Sequence, residues 1–159
     1  MLTATKSTKI ELSSENKTKE FADTFSTKIK IGDIIYLYGE IGVGKTTFIK
    51  HLINIIQKKN KLDPSEVTSP TFNILNEYQI NQIKINHYDL FRLKSSNEVK
   101  NLGLFEDSFK SITLIEWPQI IKEKPKNLIE LIFIYEDDHE KRSVQVKGCL
   151  LYTSDAADE

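Results

Sequence analysis

The sequence predicts one α/β domain, and three observations carry that prediction. Two short, nearly continuous apolar runs, IIYLYGE (34–40) and SITLIEW (111–117), have the character of strands buried on both faces. Between them, KTTFIKHLINIIQKKN (45–60) sets Phe48, Ile49, Leu52, Ile53 and Ile56 on one helical face. The 159 residues, 39% apolar and 28% charged, suffice for a single domain with a real core.

Taken in order, STKIEL (7–12) reads as a first strand. The spacing of Phe21, Phe25 and Ile29 predicts a helix from Ser14 to about Lys28. Gly32 and Asp33 turn the chain into the first buried strand. A glycine-rich loop then opens the helix over 45–60, whose basic end, KKNK (58–61), suits the helix dipole. Pro64 and Pro70 punctuate a connector, LDPSEVTSPTF (62–72). FNILNEYQI (72–80) and QIKINHYDL (82–90) alternate as two strands of a hairpin turning near Asn81. Ser95 and Glu98 form a capping-box pattern, so a short helix follows. SITLIEW is the second buried strand, Pro118 begins another short helix, and LIELIFIYEDDHEKRSVQVKG (128–148) reads as a closing hairpin. The sum is about seven strands, parallel in the centre and hairpins elsewhere.

Composition narrows the function classes. There is no apolar run of about 18 residues, and MLTATKSTKIELSS has no signal-peptide core, so the expectation is a cytoplasmic protein with no membrane partner. The last eleven residues, CLLYTSDAADE (149–159), resemble the in-frame translation of a transposase-type sequencing adapter and are expected to be read-through. The native domain is then 1–148, and the only cysteine carries no chemistry. Net charge is −1; without the tail acids Asp155, Asp158 and Glu159 it is +2, with 22 bases against 20 acids. Neither value suggests a direct electrostatic grip on DNA or RNA.

The chemistry starts with GEIGVGKTT (Gly39, Glu40, Ile41, Gly42, Val43, Gly44, Lys45, Thr46, Thr47), which fits the phosphate-loop pattern G-x-x-x-x-G-K-[ST]. It falls between a predicted strand and a predicted helix, as that pattern requires. Glycines there let backbone N–H groups wrap phosphates; Lys45 would reach the β- and γ-phosphates, and Thr46 would offer its hydroxyl to Mg²⁺. Glu116, at the end of ITLIE, stands where a carboxylate would hold the metal. Asp89 is the second carboxylate, two residues from His87 and on the same strand face. His51 and His139 fall on a helix and a hairpin tip, without company. Thr68, Ser69, Pro70 and Thr71 form a hydroxyl-rich segment suited to sensing a phosphate or metal.

Arginine supply discriminates further. Small-molecule kinases usually spend several arginines on the transferred phosphoryl group. This chain has two, Arg92 and Arg142, against twenty lysines. No N-K-x-D guanine motif follows the loop. A small ATPase that works on a partner fits these residues; a small-molecule kinase and a nucleotide-binding structural adaptor remain the alternatives.

GEIGVGKTTF, SPTF, NEY, HYDLFRL, LGL and IEWP occur in the order and spacing of the TsaE family, and the chain resembles that family from Ser14 to Gly148. The departures are mild: Val43, Phe72, Tyr88 and Phe91 stand where alanine, tyrosine, phenylalanine and tyrosine are usual. The resemblance implies a P-loop NTPase domain with a central, mostly parallel sheet, antiparallel strands at its flanks and helices on both faces. It implies binding of ATP or ADP with Mg²⁺ and docking onto the TsaD–TsaB pair, which modifies tRNA; contact with tRNA would be indirect. By position, Thr46 and Glu116 match the family's magnesium residues, Lys45 its phosphate lysine and Asp89 its essential aspartate. Trp117 follows the glutamate as in the family, and residues 68–72 match its switch-like loop.

Overall fold

In the computed structural model of the chain the described residues are 6–70 and 72–148; Thr71 and the suspected read-through Cys149–Glu159 lie outside them. Seven strands and three helices follow the predicted order: β1 (Lys6–Glu11), α1 (Glu15–Ser26), β2 (Ile34–Tyr38), α2 (Lys45–Lys59), β3 (Leu75–Ile80), β4 (Ile83–Asp89), α3 (Ser96–Leu102), β5 (Ile112–Glu116), β6 (Leu128–Glu136) and β7 (Lys141–Gly148). One-turn 3₁₀ segments cover Ser108–Lys110, which the sequence did not suggest, and Pro118–Ile120, which it did.

Local chemistry accounts for most of these boundaries. Ser14 accepts a hydrogen bond from the Lys17 N–H and starts α1. The expected capping box is complete at α3: Ser95 accepts from the Glu98 N–H, while Glu98 accepts from the Ser95 N–H. Asn81 takes the positive φ (+51°) that the β3–β4 turn needs.

The strands form one sheet in the order β1-β7-β6-β2-β5-β4-β3. β6, β2, β5 and β4 run parallel in the centre, while β3, β7 and β1 add antiparallel strands at the flanks. The closing hairpin therefore does more than the sequence suggested, since β6 also pairs with β2 and completes the parallel centre.

Helices cover both faces, unequally. α1 and α2 pack over Ile35, Leu37, Leu114, Leu131 and Phe133 on one face. α3 and the shorter segments cover Ile34, Tyr36, Tyr88 and Ile115 on the other. Alternate residues of β2 thus serve opposite cores, which explains why its sequence is apolar throughout. Because the central strands are parallel, the carboxyl ends of β2, β5 and β4 share one edge: Leu37 and Asp89 both pair with Glu116. That edge is where open α/β sheets place ligands.

Candidate functional site

The loop after β2 is held open by its own packing. At Gly39 (φ +147°) a Cβ would stand 2.8 Å from Val43 Cγ1 and 3.0 Å from the Phe133 carbonyl oxygen, so no side chain fits. Val43 is the buried plug of the loop, while Glu40 and Ile41 face solvent. α2 opens at Gly44 (φ +116°) with neither a side-chain cap nor an acidic residue in its first turn. Its leading N–H groups are therefore left for an anion, on the positive end of the helix dipole.

A cleft of about 280 Å³ lies over this helix start, lined by Gly42, Gly44, Lys45, Thr46, Thr47, Ser69, Asp89, Glu116 and Trp117, with Ile41 and Phe91 at the rim. A larger groove of about 610 Å³ runs between α3 and residues 120–123. Its charged groups, Lys100, Glu106, Lys122 and Glu123, are all solvent-exposed. Burial of charge singles out the smaller cleft: Lys45, Asp89 and Glu116 are 4%, 6% and 3% exposed. Such burial is costly unless the charges serve one another or a ligand.

Each charged group in the cleft has a defined neighbour. Lys45 Nζ donates to the Gly39 carbonyl oxygen at 2.5 Å and stands 3.8 Å above the Trp117 ring. Burial pulls the Lys45 ammonium below the ordinary lysine range, and the charges of Glu116 and Asp89 oppose that pull. Asp89 Oδ1 accepts from the Phe91 N–H at 3.0 Å, and Oδ2 accepts from the Ser69 hydroxyl at 3.3 Å. Glu116 Oε2 lies 2.7 Å from His87 Nε2, both side chains buried, so the tautomer protonated at Nε2 donates to it. His87 Nδ1 has no partner among the described residues.

Trp117 owes its place to strained backbone. It adopts a left-handed conformation (φ 58°, ψ 55°) immediately before Pro118, a geometry that costs a non-glycine residue about 1–2 kcal/mol. The turn carries the chain off the end of β5 and lays the indole over Lys45 and against Phe91, with ring centroids 4.9 Å apart.

Most residues singled out in the sequence meet here. Ser69 reaches Asp89, which joins the hydroxyl-rich connector to the strand carboxylates. Pro70 is buried and its carbonyl accepts from the Ile74 N–H, whereas the Thr68 carbonyl accepts from Asn76, away from the cleft. His87 sits behind Glu116 and does not line the cleft. Arg92 lies outside as well, its guanidinium 4.9 Å from the Phe72 ring. The two other histidines do have company, contrary to expectation: His51 Nε2 is 2.8 Å from Glu15 on α1, and His139 packs on Tyr135 at 4.3 Å. Sequence reasoning passed over Phe91 as a site residue; an aromatic two positions beyond Asp89, at a strand's carboxyl end, was the available signal.

The sheet order and the loop between β2 and α2 define a P-loop NTPase fold. The resemblance to solved structures agrees: a crystal structure of YdiB from Bacillus subtilis superposes with a TM-score of 0.68 at 24% identity, covering 92% of this chain and 88% of that one. Within that class, residues 12–144 match the family described as "Threonylcarbamoyl adenosine biosynthesis protein TsaE", and the chain belongs to it. The tRNA threonylcarbamoyladenosine biosynthesis protein TsaE of Rickettsia bellii is 41% identical over 131 residues, 82% of this chain and 88% of that protein. Its counterpart in Aquifex aeolicus is 34% identical over 135 residues, 85% of this chain and 92% of the relative. Among the described residues no helix is long and apolar enough to cross a membrane.

Proposed function

We propose that this TsaE-family protein is a Mg²⁺-dependent ATPase that supports threonylcarbamoyladenosine formation in tRNA by binding and cycling the TsaD–TsaB pair. The observation that carries the reading is the convergence of Lys45, Thr46, Asp89 and Glu116 on one cleft at the uncapped start of α2. The donor set suits magnesium. Among the described residues no cluster of three acidic, histidine or cysteine side chains is present to seize an ion alone. Mg²⁺ ordinarily takes one or two carboxylates and completes its shell with phosphate oxygens and water. When bound, the ion neutralises charge developing on the β- and γ-phosphates.

The protein's own groups divide the remaining work. The loop N–H groups and Lys45 bind the phosphates. Thr46 and Glu116 hold the metal, with His87 fixing one Glu116 oxygen in place. Asp89 orients the attacking water, and its hydrogen bond to Ser69 links that task to residues 68–72. Hydrolysis can thereby alter the surface beside the cleft, where Ile41 and Phe91 are 70% and 51% exposed. Exposed apolar groups around a catalytic mouth favour a protein partner over a small phosphoryl acceptor.

The test measures ATP hydrolysis alone and with TsaD–TsaB while counting modified tRNA per transferase. Slow hydrolysis that rises on the complex, with turnover lost in Lys45→Ala and Glu116→Ala, is the expected result. Repeated turnover with either variant sinks the cycling role.

A further inference from the structure

Arg142 is absent from every role assigned so far, yet it stands against the phosphate loop. A methyl group placed on Gly44, the residue from which α2 starts, would lie 3.8 Å from Arg142 Nη1. Tyr135, directly opposite Arg142 in the β6–β7 ladder, approaches the same loop: its hydroxyl would be 3.3 Å from a methyl on Gly42. The closing hairpin thus turns two polar side-chain ends onto the loop.

Three acidic side chains of the flanking strands and turn pair elsewhere. Glu136 pairs with Lys9, Asp137 with Lys141 and Glu11 with Lys17. Among the described residues no carboxylate pairs with the Arg142 guanidinium. Together with Lys45 it makes two cations at one helix start, the end of the dipole that repels them. An anion between them reverses the sign of that interaction, and a guanidinium fork matches phosphate oxygens two at a time.

We infer that Arg142 is a ligand of the nucleotide's polyphosphate, acting on the part common to ADP and ATP; this rests on the ATP-binding reading above. The side follows from topology. β5 and β4, which carry Glu116 and Asp89, lie on one side of β2; β6 and β7, which carry Tyr135 and Arg142, lie on the other. The metal and γ-phosphate groups gather on the first side. Arg142 therefore meets the nucleotide where ADP and ATP are alike.

Calorimetric titration of the full chain with ADP and with ATP, both with Mg²⁺, tests this in Arg142→Ala, Arg142→Gln and Lys45→Ala. Substitution should spare the fold, since the Arg142 backbone carbonyl, not its side chain, accepts from the Leu12 N–H; matching melting temperatures check that. Both Arg142 variants should raise Kd about tenfold or more, by the same factor for the two nucleotides. Affinities within about twofold of the unsubstituted chain overturn the inference, as does a loss confined to ATP. If the unsubstituted chain binds neither nucleotide, the ATP-binding reading fails first and takes this one with it. A loss in Lys45→Ala alone leaves that reading standing and removes only Arg142.

Discussion

The start of α2 and the helix body that follows it are buried under opposite rules. From Phe48 onward the helix packs into an aromatic cluster in which Phe48 meets Phe21, Phe25 and Phe133 at centroid distances of 5.1, 5.6 and 5.8 Å. Three residues earlier, Lys45 is equally buried but lies among Glu116, Asp89, Trp117 and a loop carbonyl. The first region spends burial on stability, because its aromatic cluster holds no polar group to desolvate. The second accepts desolvated charge, a left-handed tryptophan and an unpartnered imidazole nitrogen, each unfavourable alone. Side by side, they show the apolar half of the helix holding the polar half in a geometry it would not keep by itself.

The largest effect should come from breaking the apolar half. Phe48→Ala removes a fully buried ring and should cost about 3–5 kcal/mol. Urea denaturation should show a lower midpoint, while chain that stays folded keeps its nucleotide affinity. In the polar half the outcome should invert. Glu116→Gln is expected to leave the melting temperature nearly unchanged and reduce ATP hydrolysis about 100-fold, read under single-turnover conditions. A large loss of stability in that variant would erase the contrast between the two regions.

Next comes His87, which positions Glu116 from behind. His87→Ala should raise the Mg²⁺ concentration needed for half-maximal hydrolysis about tenfold, as loss of an outer hydrogen bond to a metal ligand does. His87→Gln, which can still donate, should recover part of it; equal magnesium curves for all three proteins would reduce His87 to packing. The lysine adds a pH signature. Its ammonium sits below the ordinary range, so nucleotide affinity should fall on the alkaline side before an exposed lysine would lose its proton. Asp89→Asn removes a charge that favours the ammonium and should move this limb to lower pH; a shift to higher pH would contradict the sign. The smallest change concerns neither region. Asp138, at φ +54° on the β6–β7 turn, should gain about 0.5 kcal/mol on replacement by glycine, measurable as a slight rise in melting temperature.

Much of this architecture could be read from short windows of sequence. The apolar stripe of α2, the continuous apolar runs of β2 and β5, the Ser95–Glu98 box and the turn at Asn81 are dictated by periodicity, caps and turn chemistry within a few residues. The glycine loop, Lys45 and Thr46 stood out as a candidate site for the same reason, since a phosphate-loop pattern is a matter of adjacent backbone. Contacts between distant residues were not. That His87 faces Glu116, that Ser69 reaches Asp89, that Trp117 covers Lys45 and that Arg142 lies beside Gly44 all depend on strand order and register, which no local pattern encodes. Neighbouring residues supply the conformational preferences of each element. Burial of both sheet faces then selects the one ordering of strands that brings these remote side chains to a common edge.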